Sequence, residues 1–161
     1  MKKLLLIVFI STLVSCGIKY STTSIAPLEA SFESSGTKAE LYVESANWMA
    51  EQFGDSDSVI EFMDKEAGII TGKYVLNTLY GNRGVAIGNN FALIRLQVRD
   101  GSSKITIMPY PFTEMFVPAG QEDPIYGKDE SQPLSYVKED AIADMEELLW
   151  SYQEYLENQD F

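Results

Sequence analysis

The chain has 161 residues, 45% of them hydrophobic and 12% aromatic, and its 12 Lys and Arg side chains face 24 Asp and Glu side chains for a net charge of −12. This length and composition predict one domain with a hydrophobic core and exclude a disordered chain. The acidic balance argues against nucleic acid as a partner and against electrostatic docking on anionic lipid. With one Cys and no His, the chain cannot form an internal disulfide and lacks the commonest general base and metal ligand.

The first residues have the organisation of a secretory signal. Lys2 and Lys3 give a basic start, and the run that follows, residues 4–14, is almost entirely apolar. As a helix this run would rise only about 16 Å, well short of the roughly 30 Å hydrocarbon core of a bilayer. It therefore predicts a signal peptide over residues 1–15 and not a membrane span.

The end of the apolar run, Leu13-Val14-Ser15-Cys16, resembles the lipobox of bacterial lipoproteins. The resemblance implies that the Cys16 thiol takes a diacylglyceryl group, because a thiolate is the nucleophile in such a transfer. Cys16 is then the mature N-terminus, and its acyl chains, such as palmitate, hold the protein on a membrane. The alternatives are an ordinary signal peptide with a chance cysteine, or a buried N-terminal strand.

The residue after the cysteine bears on location. An Asp at this position retains enteric lipoproteins at the inner membrane, and here the position is Gly17. The expected location is therefore the bacterial cell envelope, with lipid anchoring at the outer membrane. Residues 16–24 are small and polar and predict a tether, which leaves residues 25–158 for a single domain.

The first half of this domain predicts a strand, a helix and a hairpin. Residues 25–34 alternate and suggest a first strand. Thr37 and Glu40 form a capping box for a helix that Gly54 ends, with apolar residues at helical spacing between them. Residues 59–63 and 69–76 are rich in β-forming residues around a short polar loop, which predicts a hairpin.

A second hairpin is the clearest pattern in the chain. Residues 91–99 and 104–108 flank the turn at 100–103, and the first run alternates well. One face of this strand is apolar (Ala92, Ile94, Leu96, Val98) and the other is polar (Arg95, Gln97, Arg99). A sheet with one polar face is typical of antiparallel pairing.

Residues 109–133 break the pattern and predict a long loop, which in a compact domain is either functional or locally disordered. Residues 135–158 predict a long helix. Its apolar stripe consists of Ile142, Met145, Leu149, Tyr152 and Leu156, flanked by Ala141, Leu148 and Tyr155. The element order predicts an α+β fold, in which a single antiparallel β-sheet has two helices packed on one face.

Part of the chain resembles a known family. Trp48, Phe53, Val59-Ile60 and the hairpin Asp64-Lys65-Glu66-Ala67-Gly68-Ile69-Ile70-Thr71-Gly72-Lys73 are similar to the domain of unknown function 4468 family. The likeness covers residues 38–110 and, more loosely, the last helix. It implies a TATA-binding-protein-like fold, a curved sheet gripped by helices. It implies no catalytic residues.

Candidate chemical sites are weak. Gly68 and Gly72-Lys73 lack the spacing of a phosphate loop, and hairpin glycines explain them better. The acidic pairs Asp55/Asp57, Glu122/Asp123 and Asp129/Glu130 lack the pattern of a calcium loop, so solvated loop charge is the simpler interpretation. Neither a metal nor a cofactor is expected. Glu114 is conceivable in a hydrolase with carboxylate or serine chemistry, but no catalytic motif supports it.

Two non-catalytic functions remain, and we expect the chain not to be an enzyme. The first is a binding module for a peptide, a glycan or a partner protein. Its candidate site is an aromatic loop with Tyr110, Phe112, Phe116 and Tyr126, together with the open sheet face. The second is a structural subunit of a larger envelope assembly that docks through a free strand edge or the polar sheet face.

Overall fold

The computed structural model describes residues 19–54, 59–77, 90–116, 121–122, 129–130 and 136–159. The strands are β1 (Lys19–Thr23), β2 (Leu28–Glu33), β3 (Ile60–Asp64), β4 (Ile69–Val75), β5 (Phe91–Arg99), β6 (Ser102–Pro109), β7 (Phe112–Phe116), β8 (Gln121–Glu122) and β9 (Asp129–Glu130). The helices are α1 (Lys38–Phe53) and α2 (Tyr136–Glu157).

The central feature is a five-stranded antiparallel sheet in the order β2-β6-β5-β4-β3. Helix α1 packs on β4, β5 and β6, and α2 packs on β2 and on α1. Helix-facing residues alternate with outward-facing ones along β5, and Ala92, Ile94, Leu96 and Val98 are all buried, as predicted. The predicted α+β architecture is confirmed.

The core lies between the sheet and the two helices. Its largest side chains with almost no solvent exposure are Trp48, Tyr152, Leu41, Met49, Ile70, Leu76, Ile94, Leu96, Ile105, Ile107 and Met145. The ring of Tyr152 lies 4.8 Å from that of Trp48 and 6.0 Å from that of Phe32, measured between centroids. These contacts bring together residues from α1, α2 and β2.

Helix α1 begins and ends where the sequence predicts. The Thr37 side chain accepts from the Glu40 N–H, and the Glu40 carboxylate accepts from the Thr37 N–H at 2.8 Å. At the other end, Gly54 adopts a left-handed conformation with φ of 65° and its N–H donates to Ala50. The capping box and the glycine cap are both confirmed.

Helix α2 buries a slightly different stripe from the predicted one. Ala141 and Leu148, predicted as flanking residues, are buried together with Met145, Tyr152 and Leu156. Ile142 and Leu149, predicted at the centre of the stripe, are only half-buried. At these two positions the buried residue is the one immediately before the predicted residue. Which of the two neighbours is buried depends on how the helix packs against the sheet.

Strands outside the main sheet are the largest difference from the sequence-based expectation. β1 pairs antiparallel with β7, from Lys19 opposite Phe116 to Thr23 opposite Phe112. β8 pairs with β9. The predicted tether at residues 16–24 therefore contains a strand, and the predicted loop at 109–133 contains three. These runs lack the alternation that burial on one face produces, so hydrophobic pattern could not reveal them.

Candidate functional site

A cleft of about 600 Å³ opens where β4 continues beyond β3. β3 pairs with β4 only as far as Gly72, so the last residues of β4 have no β3 residue beside them. Residues from both helices, β3, β4 and β5 line the cleft: Gln52, Phe53, Val59, Glu61, Lys73, Tyr74, Val75, Phe91, Asp144 and Leu148. Apolar and polar side chains line it in about equal numbers, and a concave surface with convergent polar groups is typical of ligand sites.

Tyr74 is the most unusual residue of this cleft. Its side chain is buried, and its hydroxyl has no hydrogen-bond partner in the part of the chain that the structure describes. Burial raises the pKa of the Tyr74 phenol, and the neighbouring Asp144 carboxylate raises it further. The phenol and the carboxylate are close enough to interact electrostatically, but they do not form a hydrogen bond of ordinary geometry. A buried hydroxyl without a partner is rare and calls for an explanation.

Asp144 is the second polar group of the cleft. One of its carboxylate oxygens accepts from the Asn77 N–H at 3.1 Å, just after the end of β4. Burial raises the pKa of Asp144, while the Asn77 bond and Tyr74 oppose that shift. The ionised form of Asp144 is therefore destabilised by burial. Ionisable groups with a pKa shifted in this way are more common at functional sites than elsewhere.

Local packing explains why these side chains meet. Tyr74 follows Ile70 and Gly72 on the helix-facing side of β4, and its ring lies 5.5 Å from that of Phe53 at the end of α1. Gly72 permits close packing, because a Cβ there would lie 2.5 Å from the Met49 methyl carbon and 2.9 Å from the Val59 carbonyl oxygen. The end of α1 therefore packs closely against β4 and forms one wall of the cleft.

The other wall carries a cation between two aromatic rings. The Lys73 ammonium lies 4.3 Å from the centroid of the Phe91 ring and 5.7 Å from that of Tyr110. The Tyr110 N–H donates to the Phe91 carbonyl at 2.9 Å, which holds the two residues together. Cation–π contacts of this kind position the ammonium beside the cleft.

The chemistry available in the cleft is recognition by hydrogen bonding. The Tyr74 hydroxyl can donate one hydrogen bond and the Asp144 carboxylate can accept several. Phe53 and Phe91 offer apolar contact. Within residues that the structure describes, no group of three or more His, Cys, Asp or Glu side chains lies together to hold a metal.

The predicted aromatic site is partly described. Tyr110 is 47% exposed and lies beside the cleft through Lys73. Phe112 and Phe116 belong to β7, at opposite ends of its pairing with β1. Tyr126 and the predicted lipidation site Cys16 lie outside the described residues. Among the predicted aromatic residues, Tyr110 is the one whose side chain the structure describes, and it lies beside the cleft.

The weaker chemical candidates are distributed over several elements. Glu114 is in β7 opposite Ser21. Glu122 and Asp129 face each other across the β8–β9 pair, and Asp55, Asp57 and Asp123 lie outside the described residues. Gly68 has a φ of 69°, and its carbonyl accepts from the Val98 N–H at 2.8 Å. It is a turn residue of the β3–β4 hairpin, as expected.

Sequence reasoning missed Tyr74, Asp144 and the Lys73–Phe91 contact. One signal was present: Asp144 lies three residues after Ala141 and four before Leu148, both buried. An acidic residue at these spacings lies on the apolar face of the helix. Tyr74 gave no such signal, because an aromatic residue on the buried side of a strand is ordinary core.

Across the described ranges, no helix combines the length and apolar character needed to cross a membrane.

No curated protein matches the chain. Several solved structures are similar to it in fold, and two of them are the following. One is a DUF4468 family protein from Bacteroides ovatus, 13% identical, with a TM-score of 0.55 over 83% of this chain and 87% of that one. The other is a TBP-like protein from Parabacteroides distasonis, 14% identical, with a TM-score of 0.50 over 83% of this chain and 94% of that one.

A family profile confirms the resemblance seen in the sequence. Residues 31–107 match the domain of unknown function DUF4468, which is described as having a TBP-like fold. The matched range begins within β2 and ends within β6, and it includes α1, β3, β4 and β5. Residues 31–107 are therefore similar to DUF4468 domains, and the fold of the chain is TBP-like.

Proposed function

We propose that this chain is a lipoprotein of the bacterial cell envelope, anchored at the outer membrane through Cys16. Its domain is a non-catalytic binding module for a peptide, a glycan or a partner protein. The signal at residues 1–15 and the lipobox at residues 13–16 support the anchor. The cleft beside β4 supports the binding role.

One observation carries the binding proposal. The buried Tyr74 hydroxyl has no hydrogen bond of ordinary geometry to any described residue, and it lies next to the half-buried carboxylate of Asp144 at the wall of an open cleft. Leaving a buried hydroxyl unpaired costs about 1–3 kcal/mol. A ligand that accepts from Tyr74 and donates to Asp144 would satisfy both groups, and it would stack on Phe53 or Phe91.

The experiment screens the purified full-length chain on a peptide array and a glycan array, and then measures affinity for the strongest binder. Tyr74→Phe removes only the unpaired hydroxyl. We expect it to weaken binding about tenfold, the equivalent of roughly 1.4 kcal/mol, without lowering the free energy of unfolding. Tyr155→Phe is the matched control, because it deletes a hydroxyl bonded to Glu44 at 3.1 Å outside the cleft.

Unchanged affinity in Tyr74→Phe would refute the cleft as the binding site. Turnover of an array member, lost in Asp144→Asn, would instead favour a hydrolase. For the anchor, Cys16→Ser should release a folded domain from membranes and abolish palmitate labelling. Retention of this variant on membranes after a carbonate wash would contradict lipid anchoring.

A structural subunit of an envelope assembly is the second candidate function. The outer edge of β2, which pairs with no other described strand, favours it, because a free edge is a surface on which another chain can add a strand. Cross-linking in intact envelope separates the two: a stoichiometric protein partner supports the subunit, and a small ligand with a monomeric chain supports the module.

A further inference from the structure

The free edge of β2 runs beside an apolar groove. Among the described residues, β2 pairs only with β6 and forms one border of the main sheet. Between this edge and α2 lies a cavity of about 390 Å³. Its lining is mostly apolar and consists of Leu28, Ala30, Phe32, Glu146, Leu149, Trp150 and Gln153. Trp150 is 68% exposed, more than any other large hydrophobic side chain among the described residues.

A second cavity of about 390 Å³ extends the groove along the same edge. It reaches from Ser31 to Ser35 on one side and from Gln153 to Gln159 on the other. Three charged side chains line the two cavities, and all three are acidic: Glu33, Glu146 and Glu157. The groove is therefore apolar at one end and negatively charged along its rim.

The backbone groups of the edge point outwards in a regular pattern. The Ser34 N–H donates to the Gly101 carbonyl at 3.0 Å, so the polar backbone groups of Ser34 face the β6 side. Successive residues of a strand present their N–H and C=O groups to opposite sides. Those of Glu29, Ser31 and Glu33 therefore face away from β6, and they can accept an added strand.

The side chains of the edge select against a second copy of this chain. An antiparallel pair of two β2 strands centred on Ser31 would set Glu29 directly opposite Glu33 of the other copy, twice. Like charges directly opposite in a sheet are destabilising. The Glu33 carboxylate would attract a strand that carries a cation opposite it. The Glu29 carboxylate already pairs with the Lys104 ammonium of β6 at 2.7 Å, and it would share a second cation from the added strand.

We propose that the β2 edge and the groove beside Trp150 bind an extended segment of another protein with alternating basic and apolar residues. Its backbone adds a strand to β2. Its basic side chains lie opposite Glu29 and Glu33 on the outer face of the sheet, and its apolar side chains face α2 and Trp150. This site goes beyond the cleft at Tyr74, and it holds or fails independently of that proposal.

The probe is a labelled heptapeptide of alternating lysine and valine, with lysine at both ends. It is titrated into the full-length chain, and binding is followed by fluorescence anisotropy and by the emission of Trp150, which should shift to the blue. We expect affinity to fall several-fold between 50 and 500 mM salt, because exposed charges are screened. A peptide with glutamate in place of lysine should bind at least tenfold more weakly.

Two variants locate the site. Ser31→Pro removes an outward N–H and no bond to β6, since proline is tolerated on edge strands. Trp150→Ala removes the exposed ring. Each should weaken binding at least tenfold, whereas Val43→Ala, which truncates a 46% exposed residue on α1, should not. Circular dichroism confirms that each variant remains folded, and Tyr74→Phe should bind the peptide normally.

Three results would overturn the proposal. The first is no binding at millimolar peptide, or equal binding of the glutamate peptide. The second is unchanged affinity in both Ser31→Pro and Trp150→Ala. The third is a dimer of the chain in sedimentation that Ser31→Pro abolishes, which would make a second copy the occupant.

Discussion

The hydroxyl oxygens of Ser45 and Tyr152 lie 2.6 Å apart inside the core, and the Tyr152 hydroxyl also hydrogen-bonds that of Ser103. These residues belong to α1, α2 and β6, and all three are buried. One phenol thus joins both helices to the sheet. Burial raises the pKa of Tyr152, and the bonds to Ser103 and Ser45 oppose that shift. The network fixes how the helices sit over the sheet.

Tyr152→Phe should lower the free energy of unfolding by about 1–3 kcal/mol, because it leaves two buried serine hydroxyls without the phenol. Urea denaturation measures this loss. Tyr110→Phe is the control, since Tyr110 is exposed, and it should change stability by less than about 0.5 kcal/mol. In the double variant Ser45→Ala/Tyr152→Phe, the loss should be smaller than the sum of the single losses. A fully additive result would contradict a shared network.

Gly68 and Gly54 give a matched test of backbone strain. Both have positive φ, 69° and 65°, but a Cβ at Gly68 would lie 2.4 Å from the Val98 carbonyl oxygen, whereas one at Gly54 meets nothing within 4 Å. Gly54→Ala should cost about 1–2 kcal/mol from the left-handed conformation alone. Gly68→Ala should cost more than that in thermal or urea unfolding, because backbone must also move. Equal losses would show that the hairpin relaxes freely around the added methyl group.

Much of the main sheet could be predicted because burial of one face of a strand requires apolar residues at alternate positions. The alternation of Ala92, Ile94, Leu96 and Val98 exists because one face of β5 packs on helices. The capping box at Thr37 and Glu40 is likewise local, since it depends on only four consecutive positions. These features need no knowledge of the rest of the fold.

The candidate site could not be predicted in the same way. The Tyr74 hydroxyl lies near Asp144 because β4 extends beyond β3 and because Asp144 of α2 reaches the end of β4, where it accepts from the Asn77 N–H. Neither fact is encoded locally. The pairing of β1 with β7 joins segments about ninety positions apart, and neither segment has a regular alternation of apolar and polar residues to mark it. These residues differ from ordinary core or loop residues in which distant segments lie beside them, and not in residue type.

The capping box of α1 makes a pH-dependent contribution to stability. The hydrogen bonds from Thr37 lower the pKa of Glu40 below its ordinary value of 4.5. The folded state therefore holds this proton less tightly than the unfolded chain. The stability that the ionised Glu40 carboxylate adds is complete above the pKa of the unfolded chain and is lost as the pH falls through the pKa of the folded state. Thr37→Ala should cost about 1 kcal/mol at neutral pH and less in acid, whereas a constant loss down to pH 3 would contradict this coupling.

Asp144 should show the opposite dependence. Because burial raises its pKa from the ordinary value of 3.8, the folded state binds this proton more tightly than the unfolded chain. Stability then falls as the pH rises from the unfolded pKa through the folded one, and the cost of the charge is complete at neutral pH. Asp144→Asn removes the charge and keeps an oxygen that can accept from Asn77. Its free energy of unfolding should exceed that of the parent at pH 7, and the difference should shrink as the pH falls towards 3.

If the same substitution also weakens binding at the cleft, Asp144 is kept at the expense of stability, as expected of a residue retained for recognition. A variant that is less stable at every pH would instead make Asp144 a structural cap for the end of β4.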